Sequence, residues 1–172
     1  MTTSSSTRKP PPAATSTAAV LTVSDSAADG TRSDISGPAI IEILKQAKFE
    51  ILKTQVIADN QTAIRKALIA LSAKARLVVT TGGTGISARD VTPEATRAVC
   101  KKQIEGIAER MRFEGSKKTP FAALSRGICG IRGKSIILNL PGAPKGAIDS
   151  LQSVIGILPH ALQLLEGHTE HS

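Results

Sequence analysis

Residues 76–81 read Arg-Leu-Val-Val-Thr-Thr, and residues 82–85 follow as Gly-Gly-Thr-Gly. The first stretch is short, apolar and β-branched, which suits a buried strand. The second has three glycines in four residues and reads as a loop. An apolar strand opening straight into a glycine loop is the basic unit of an α/β sheet whose ligands sit beyond the carboxyl ends of its strands.

The same alternation repeats on either side. Upstream, residues 61–74 carry Ile64, Leu68 and Leu71 at helical spacing, and residues 49–58 read as a second strand. Residues 37–48 have Pro38 near their start and Ile40, Ile41, Ile43 and Leu44 after it, a helix pattern. Residues 24–36 are polar and read as a long loop, preceded by a buried strand at 18–23 (AAVLTV). Downstream, Thr92 and Pro93 read as an N-cap and first helical position, with a helix running to about residue 103. A further helix is expected at 105–114, and strands at 128–131 and 135–140 flank Arg132-Gly133. Pro141-Gly142-Ala143-Pro144 reads as a turn. A closing helix is expected from about 146 to 166, with Pro159 as a kink or break. The expected fold is α/β: a single three-layer domain over residues 18–167, with a mainly parallel sheet covered by helices on both faces.

Composition bounds the rest. The 172 residues are 41% hydrophobic and 21% charged, ordinary for a globular protein with one core. Aromatic residues make up 2%, so the core must rest on Ile, Leu, Val and Ala. Apolar runs are too short to cross a bilayer, and a soluble, cytoplasmic protein is expected. Residues 1–17, rich in Ser, Thr, Pro and Ala, read as a disordered tail, and residues 168–172 as a frayed end. The net charge of +8 fits either a solvated basic surface or an anionic partner. Scattered basic residues and few base-stacking aromatics argue against nucleic acid. Cys100 and Cys129 form no CxxC and read as free buried thiols.

Three loops leaving strand ends are rich in small or polar residues: 24–30, 82–90 and 141–145. Asp59 closes a fourth strand end. In the loop 80–90 (TTGGTGISARD), glycines let backbone N–H groups approach an anion, Thr81 and Thr84 add hydroxyls, Arg89 suits phosphate, and Asp90 suits magnesium. Residues 83–88 fit G-x-G-x-x-A, but no helix starts at once, so the dinucleotide fingerprint fails on context. Plainer readings stand beside these. Asp59 precedes a helix and can be its cap. Asp90 can pair with Arg89. Glu94 can be a first-turn acid complementing the helix dipole. Ser125 can be an ordinary polar residue, and Lys145 a solvated lysine.

The stretch TTGGTGISARDVTPEAT resembles the signature of the MogA/MoaB/gephyrin-G family of molybdopterin adenylyltransferases. Residues 21–25 (LTVSD), 34–37 (D-x-S-G), 56–59, 120–126 (PFAALSR), 130–132 and 137–145 (ILNLPGAPK) resemble that family's other segments, in order. The resemblance covers nearly everything but the tail. It implies Mg²⁺-dependent transfer of the adenylyl group of ATP to molybdopterin, with pyrophosphate released. The alternative it implies is a non-catalytic molybdopterin carrier of MoaB type. It further implies a homotrimer, or a hexamer, and hand-over to a molybdate-inserting enzyme. Asp59 and Asp90 carry over as catalytic residues and Mg²⁺ ligands. Gly82, Gly83, Thr84 and Gly85 carry over as the walls of the nucleotide and pterin phosphate pocket, with Ser24, Asp25, Thr81, Glu94, Ser125, Pro141, Gly142, Pro144 and Lys145 as further binding residues. Many relatives have arginine after the first aspartate, where this chain has Ser26. Arg132 is a weaker candidate for an anion contact.

Overall fold

Ala18 and Val20 turn into one core, and Ala19, Leu21 and Val23 into another, with all five buried. A strand with both faces covered has no need of polar alternation, which is why AAVLTV and LVVTT read as continuous apolar runs. The computed structural model describes residues 16–167. The tail expected before residue 16 and the frayed end after 167 lie outside the described residues, and Thr17 already belongs to the first strand.

In chain order the strands are β1 (Thr17–Val23), β2 (Glu50–Ile57), β3 (Leu77–Thr81), β4 (Lys102–Gln103), β5 (Cys129–Arg132) and β6 (Ser135–Leu140). The helices are α1 (Asp25–Ala28), α2 (Ser36–Gln46), α3 (Gln61–Ser72), α4 (Thr92–Val99), α5 (Glu105–Ser116), α6 (Pro144–Val154) and α7 (Leu158–Glu166). A 3-10 turn spans Pro120–Leu124. The sheet order is β2-β1-β3-β6-β5-β4. Strands β2, β1, β3 and β6 run parallel, whereas β5 lies antiparallel to β6 and β4 antiparallel to β5. Helices α2, α5, α6 and α7 fill one core and α3 and α4 the other. The expected three-layer α/β fold is what is found. No helix among the described residues is long and apolar enough to cross a membrane.

The chain leaves β1 to pair with β2 on one side and later returns to place β3 on the other. Connections therefore diverge from the gap between β1 and β3, the place where such sheets hold ligands. Gly82 fills that gap. A Cβ there would lie 2.1 Å from the Val23 carbonyl oxygen, and its φ is +95°. Its N–H donates to the carbonyl of Leu140 at 3.1 Å, so the ends of β1, β3 and β6 meet at one glycine.

The structure corrects several local expectations. Residues 24–36 are not all loop: Ser24 accepts a hydrogen bond from the Ala27 N–H and starts the one-turn α1. The helix expected to reach residue 103 ends at Val99, because Lys102 and Gln103 pair with Ile131 and Gly130. Thr92 is not the N-cap of α4. It is the first helical residue, fully buried, and its Oγ1 has no protein partner. Pro144 ends no turn but opens α6, and Pro159 opens α7. Both take the first-turn position where a missing N–H costs nothing. The expected single closing helix is thus two.

Candidate active site

The carboxyl ends of β1, β2, β3 and β6 carry the candidate residues to one rim of the sheet. After β1, Ser24 bonds back to α1, and its hydroxyl lies 3.2 Å from that of Ser26. Asp25 and Asp59, which follow β1 and β2, brace each other. Asp25 N–H donates to Asp59 Oδ2 at 3.0 Å, and Asp59 N–H donates to Asp25 Oδ1 at 3.0 Å. The adjacent parallel strands end side by side, so two local turns become one unit. Asn60, not Asp59, caps α3, through a bond from Ala63 N–H at 2.9 Å. Arg89 pairs with Asp25 and not with Asp90. That exposed pair adds little stability.

Burial pushes the Asp59 carboxyl above its usual range, and the nearby charges of Asp25 and Asp90 add to the effect. The bond from Asp25 N–H and the charge of Arg89 oppose it. The loop after β3 brings Gly83 against this group: a Cβ on Gly83 would lie 3.1 Å from Asp59 Oδ1 and 2.3 Å from the orphaned Thr92 Oγ1. Gly83 also has a φ of +66°, so glycine is required there on both counts. Asp90 closes the loop, with Oδ2 accepting from Ser87 N–H at 3.0 Å. Among the described residues, nothing donates a hydrogen bond to Oδ1 of Asp59 or Asp90.

Two cavities open on this rim. The larger, about 550 Å³, takes Gly83, Thr84, Gly85, Asp90, Ser125, Pro141, Gly142 and Lys145 from the expected residues. Its remaining wall is mostly apolar and includes Met111, Phe121 and Leu124. The smaller, about 260 Å³, takes Ser24, Asp59, Thr81, Gly82, Gly83, Asp90, Gly142 and Pro144. Gly83, Asp90 and Gly142 belong to both. Helix α6 begins between the cavities without a side-chain cap, and since Pro144 has no N–H and Ala147 N–H donates to the Ala143 carbonyl, the N–H groups of Lys145 and Gly146 are the first-turn donors left for an anion.

Two expected residues lie in neither cavity. Asp25 turns to Arg89 and the Asp59 N–H. Glu94 pairs with Arg126, whose hydrogen bond holds its carboxyl below the usual range. Arg132 lies farther off still: its guanidinium donates to the Val99 carbonyl at 3.1 Å, and it lines a separate cavity with Lys74, Lys101 and Lys134. Ser26 lines the smaller cavity.

Asp34, Ser36 and Asn139 lie in the D-x-S-G and ILNLPGAPK segments quoted above, but spacing does not reveal their partners. Asp34 accepts from Thr22 Oγ1 at 2.6 Å and from Gly37 N–H at 2.9 Å, fixing the start of α2. Ser36 donates to the Gly142 carbonyl at 2.7 Å and ties that helix to the last loop. Buried Asn139 donates to the hydroxyls of Thr80 and Thr96 and accepts from Ile128 N–H. Cys100 and Cys129 are free thiols, and burial pushes them up to about 11 and about 12. Among the described residues, no cluster of three or more His, Cys, Asp or Glu side chains is placed to hold a metal ion.

Comparison with known proteins places this rim in context. The family model described as a probable molybdopterin binding domain matches residues 19–160. A molybdopterin adenylyltransferase of Helicobacter pylori strain J99 is 43% identical over 153 residues, covering 87% of each chain. A molybdopterin adenylyltransferase of Escherichia coli K12 is 39% identical over 165 residues, covering 86% of this chain and 84% of the relative. The crystal structure of the molybdopterin biosynthesis enzyme MoaB of Thermus thermophilus superposes with a TM-score of 0.83 at 46% identity, covering 88% of this chain and 96% of that one. The glycine loop, the paired strand-end aspartates and the two joined cavities are thus those of a chain that belongs to the molybdopterin-binding MogA/MoaB family.

Proposed function

We propose that this chain is a molybdopterin adenylyltransferase of molybdenum cofactor biosynthesis. A phosphate oxygen of molybdopterin attacks the α-phosphorus of ATP, the bond to the β-phosphate breaks, and pyrophosphate leaves. The observation that carries this reading is a pair of unlike cavities meeting at one wall, Gly83, Asp90 and Gly142, with a carboxylate at the junction. A reaction joining two substrates needs that arrangement, whereas a carrier of one ligand does not. The curated relatives named molybdopterin adenylyltransferase, at 39% and 43% identity, support the same conclusion.

The larger, apolar cavity suits the pterin, with Ser125 and Lys145 near its phosphate. The smaller, polar cavity suits the phosphates of ATP, with Ser24, Thr81 and Gly82 on its wall. Glycine at 82 and 83 brings bare backbone to the reacting phosphates, and the first turn of α6 supplies N–H donors. Mg²⁺ fits Asp59 and Asp90, which offer two unengaged carboxylate oxygens and leave room for substrate phosphates; bound there, it would neutralise phosphate charge. Burial disfavours the charged form of Asp59, a cost that a bound cation would offset. By the same reading the functional domain is residues 18–167, working in the cytoplasm as a homotrimer. Its product passes to an enzyme that inserts molybdate.

The test is calorimetric titration with molybdopterin, then addition of Mg-ATP and analysis of products. Adenylylated pterin and pyrophosphate are expected. Asp90→Asn should bind pterin normally and form adenylate about 10²-fold more slowly or worse. Tight pterin binding with no adenylate from the wild type would replace the enzyme with a carrier.

A further inference from the structure

Arg126 follows the 3-10 turn that walls the larger cavity and reaches across to the loop carrying Asp90. Its backbone N–H donates to the Thr84 carbonyl at 2.8 Å. Its Nε donates to the Gly85 carbonyl at 2.7 Å, and one terminal nitrogen donates to the Asp90 carbonyl at 2.7 Å. The other terminal nitrogen pairs with Glu94 in the first turn of α4. One residue therefore holds both ends of the loop 84–90 and ties them to a helix. The loop's other ties are few: Asp90 N–H donates to the Ser87 carbonyl at 3.0 Å, Ser87 N–H to Asp90 Oδ2 at 3.0 Å and Arg89 N–H to the Ser87 hydroxyl at 3.4 Å, the exposed Arg89 pairs with Asp25, and Ile86 is 72% exposed. Arg126 lines neither the larger nor the smaller cavity but a separate one beside Pro93, Arg97 and Arg112, so the loop is what connects it to the candidate site.

We propose that Arg126 is a positioning residue for adenylyl transfer, a clamp that sets the spacing of the Gly85 and Asp90 carbonyls and so holds the Asp90 carboxylate on the wall between the cavities. The inference rests on the reading of Asp90 as a catalytic carboxylate. A guanidinium is suited to the task because its donors form a rigid planar fork, whereas an ammonium is a single flexible point. Glu94 is the fixed counter-charge of the clamp, which accounts for its place outside both cavities.

The test compares wild type, Arg126→Lys, Asp90→Asn and the double variant. Arg126→Lys keeps the charge and loses the fork. It should lower kcat by about 10²-fold, the order expected when a reacting group is misplaced by about 1 Å, with KM for both substrates near the wild-type value. In the Asp90→Asn background the same change should cost nothing further, because the clamp has no carboxylate left to place. An equal loss in both backgrounds, or a change in KM alone, overturns the proposal. Amide hydrogen exchange without substrates gives a second readout. Ser87 and Asp90 should exchange faster in Arg126→Lys while Val79 in β3 stays protected. Unchanged protection at Ser87 and Asp90 refutes the clamp even if the wild type forms no adenylate, an outcome that would sink only the functional reading. Should Arg126→Lys lose protection at Val79 as well, Glu94→Gln, which removes only the counter-charge, is measured at the same amides and is held to the same criterion.

Discussion

Gly82 is where the fold and the site depend on the same atom. Replacing it with alanine puts a Cβ 2.1 Å from the Val23 carbonyl oxygen, a backbone atom that cannot rotate away. The residue also sits at φ +95°, where an L side chain costs about 1–3 kcal/mol. Relieving the contact means separating β1 from β3 or giving up the hydrogen bond to Leu140, an overpacking cost of about 1–3 kcal/mol more. For a domain of this size, a loss of that order lowers Tm by roughly 5–20 °C. Gly133→Ala is the control. It shares the positive φ, +59°, but its Cβ would meet nothing within 4 Å. Only backbone strain remains there, about 1–2 kcal/mol. Calorimetric melting of the two variants separates strain from contact. If Gly82→Ala melts no lower than Gly133→Ala, the reasoning about a rigid three-strand junction is wrong.

Asn139→Leu fills nearly the same space but strands the Ile128 N–H and removes the donor to Thr80 and Thr96, so the loss should reach about 2 kcal/mol or more, read from urea midpoints; a shift within error would mean that water replaces those bonds. Asp59 has a raised folded-state pKa, so the native state holds more protons than the unfolded one just above the ordinary carboxylate range. Its contribution to stability therefore falls as pH rises through that window. Asp59→Asn should accordingly melt higher than wild type at neutral pH and converge with it in acid, and a gap that widens toward acid would contradict the burial argument. Cys100 and Cys129, pushed up to about 11 and about 12, should resist a thiol reagent at pH 8 until the protein is unfolded. Rapid labelling of folded protein would count against that burial.

Much of this was legible in one dimension. The strands at 18–23, 76–81 and 135–140, the helices behind Pro38 and Gln61, and the glycine loop all follow from patterns a few residues long, because propensity and turn chemistry act between near neighbours. Most expected ligands do reach the rim, since strand ends in a parallel sheet lie along one edge. The misreadings have a common cause. Residues 102–103 look helical until Gly130 and Ile131 offer them a strand partner, and Thr92 looks like a cap until the loop buries it beneath Gly83.

The fold class and the family can be read from the order of residues alone, because a buried parallel sheet and a glycine-rich strand-end loop each leave local signatures. The pairings needed the folded chain: Asp25 with Asp59, Arg89 with Asp25 rather than Asp90, and Arg126 with acceptors on Thr84, Gly85, Asp90 and Glu94. Each joins groups that strand order and core packing bring together from distant parts of the chain. No spacing rule encodes such a choice, because a partner many residues away is selected by where the packed sheet leaves it and not by its separation along the chain.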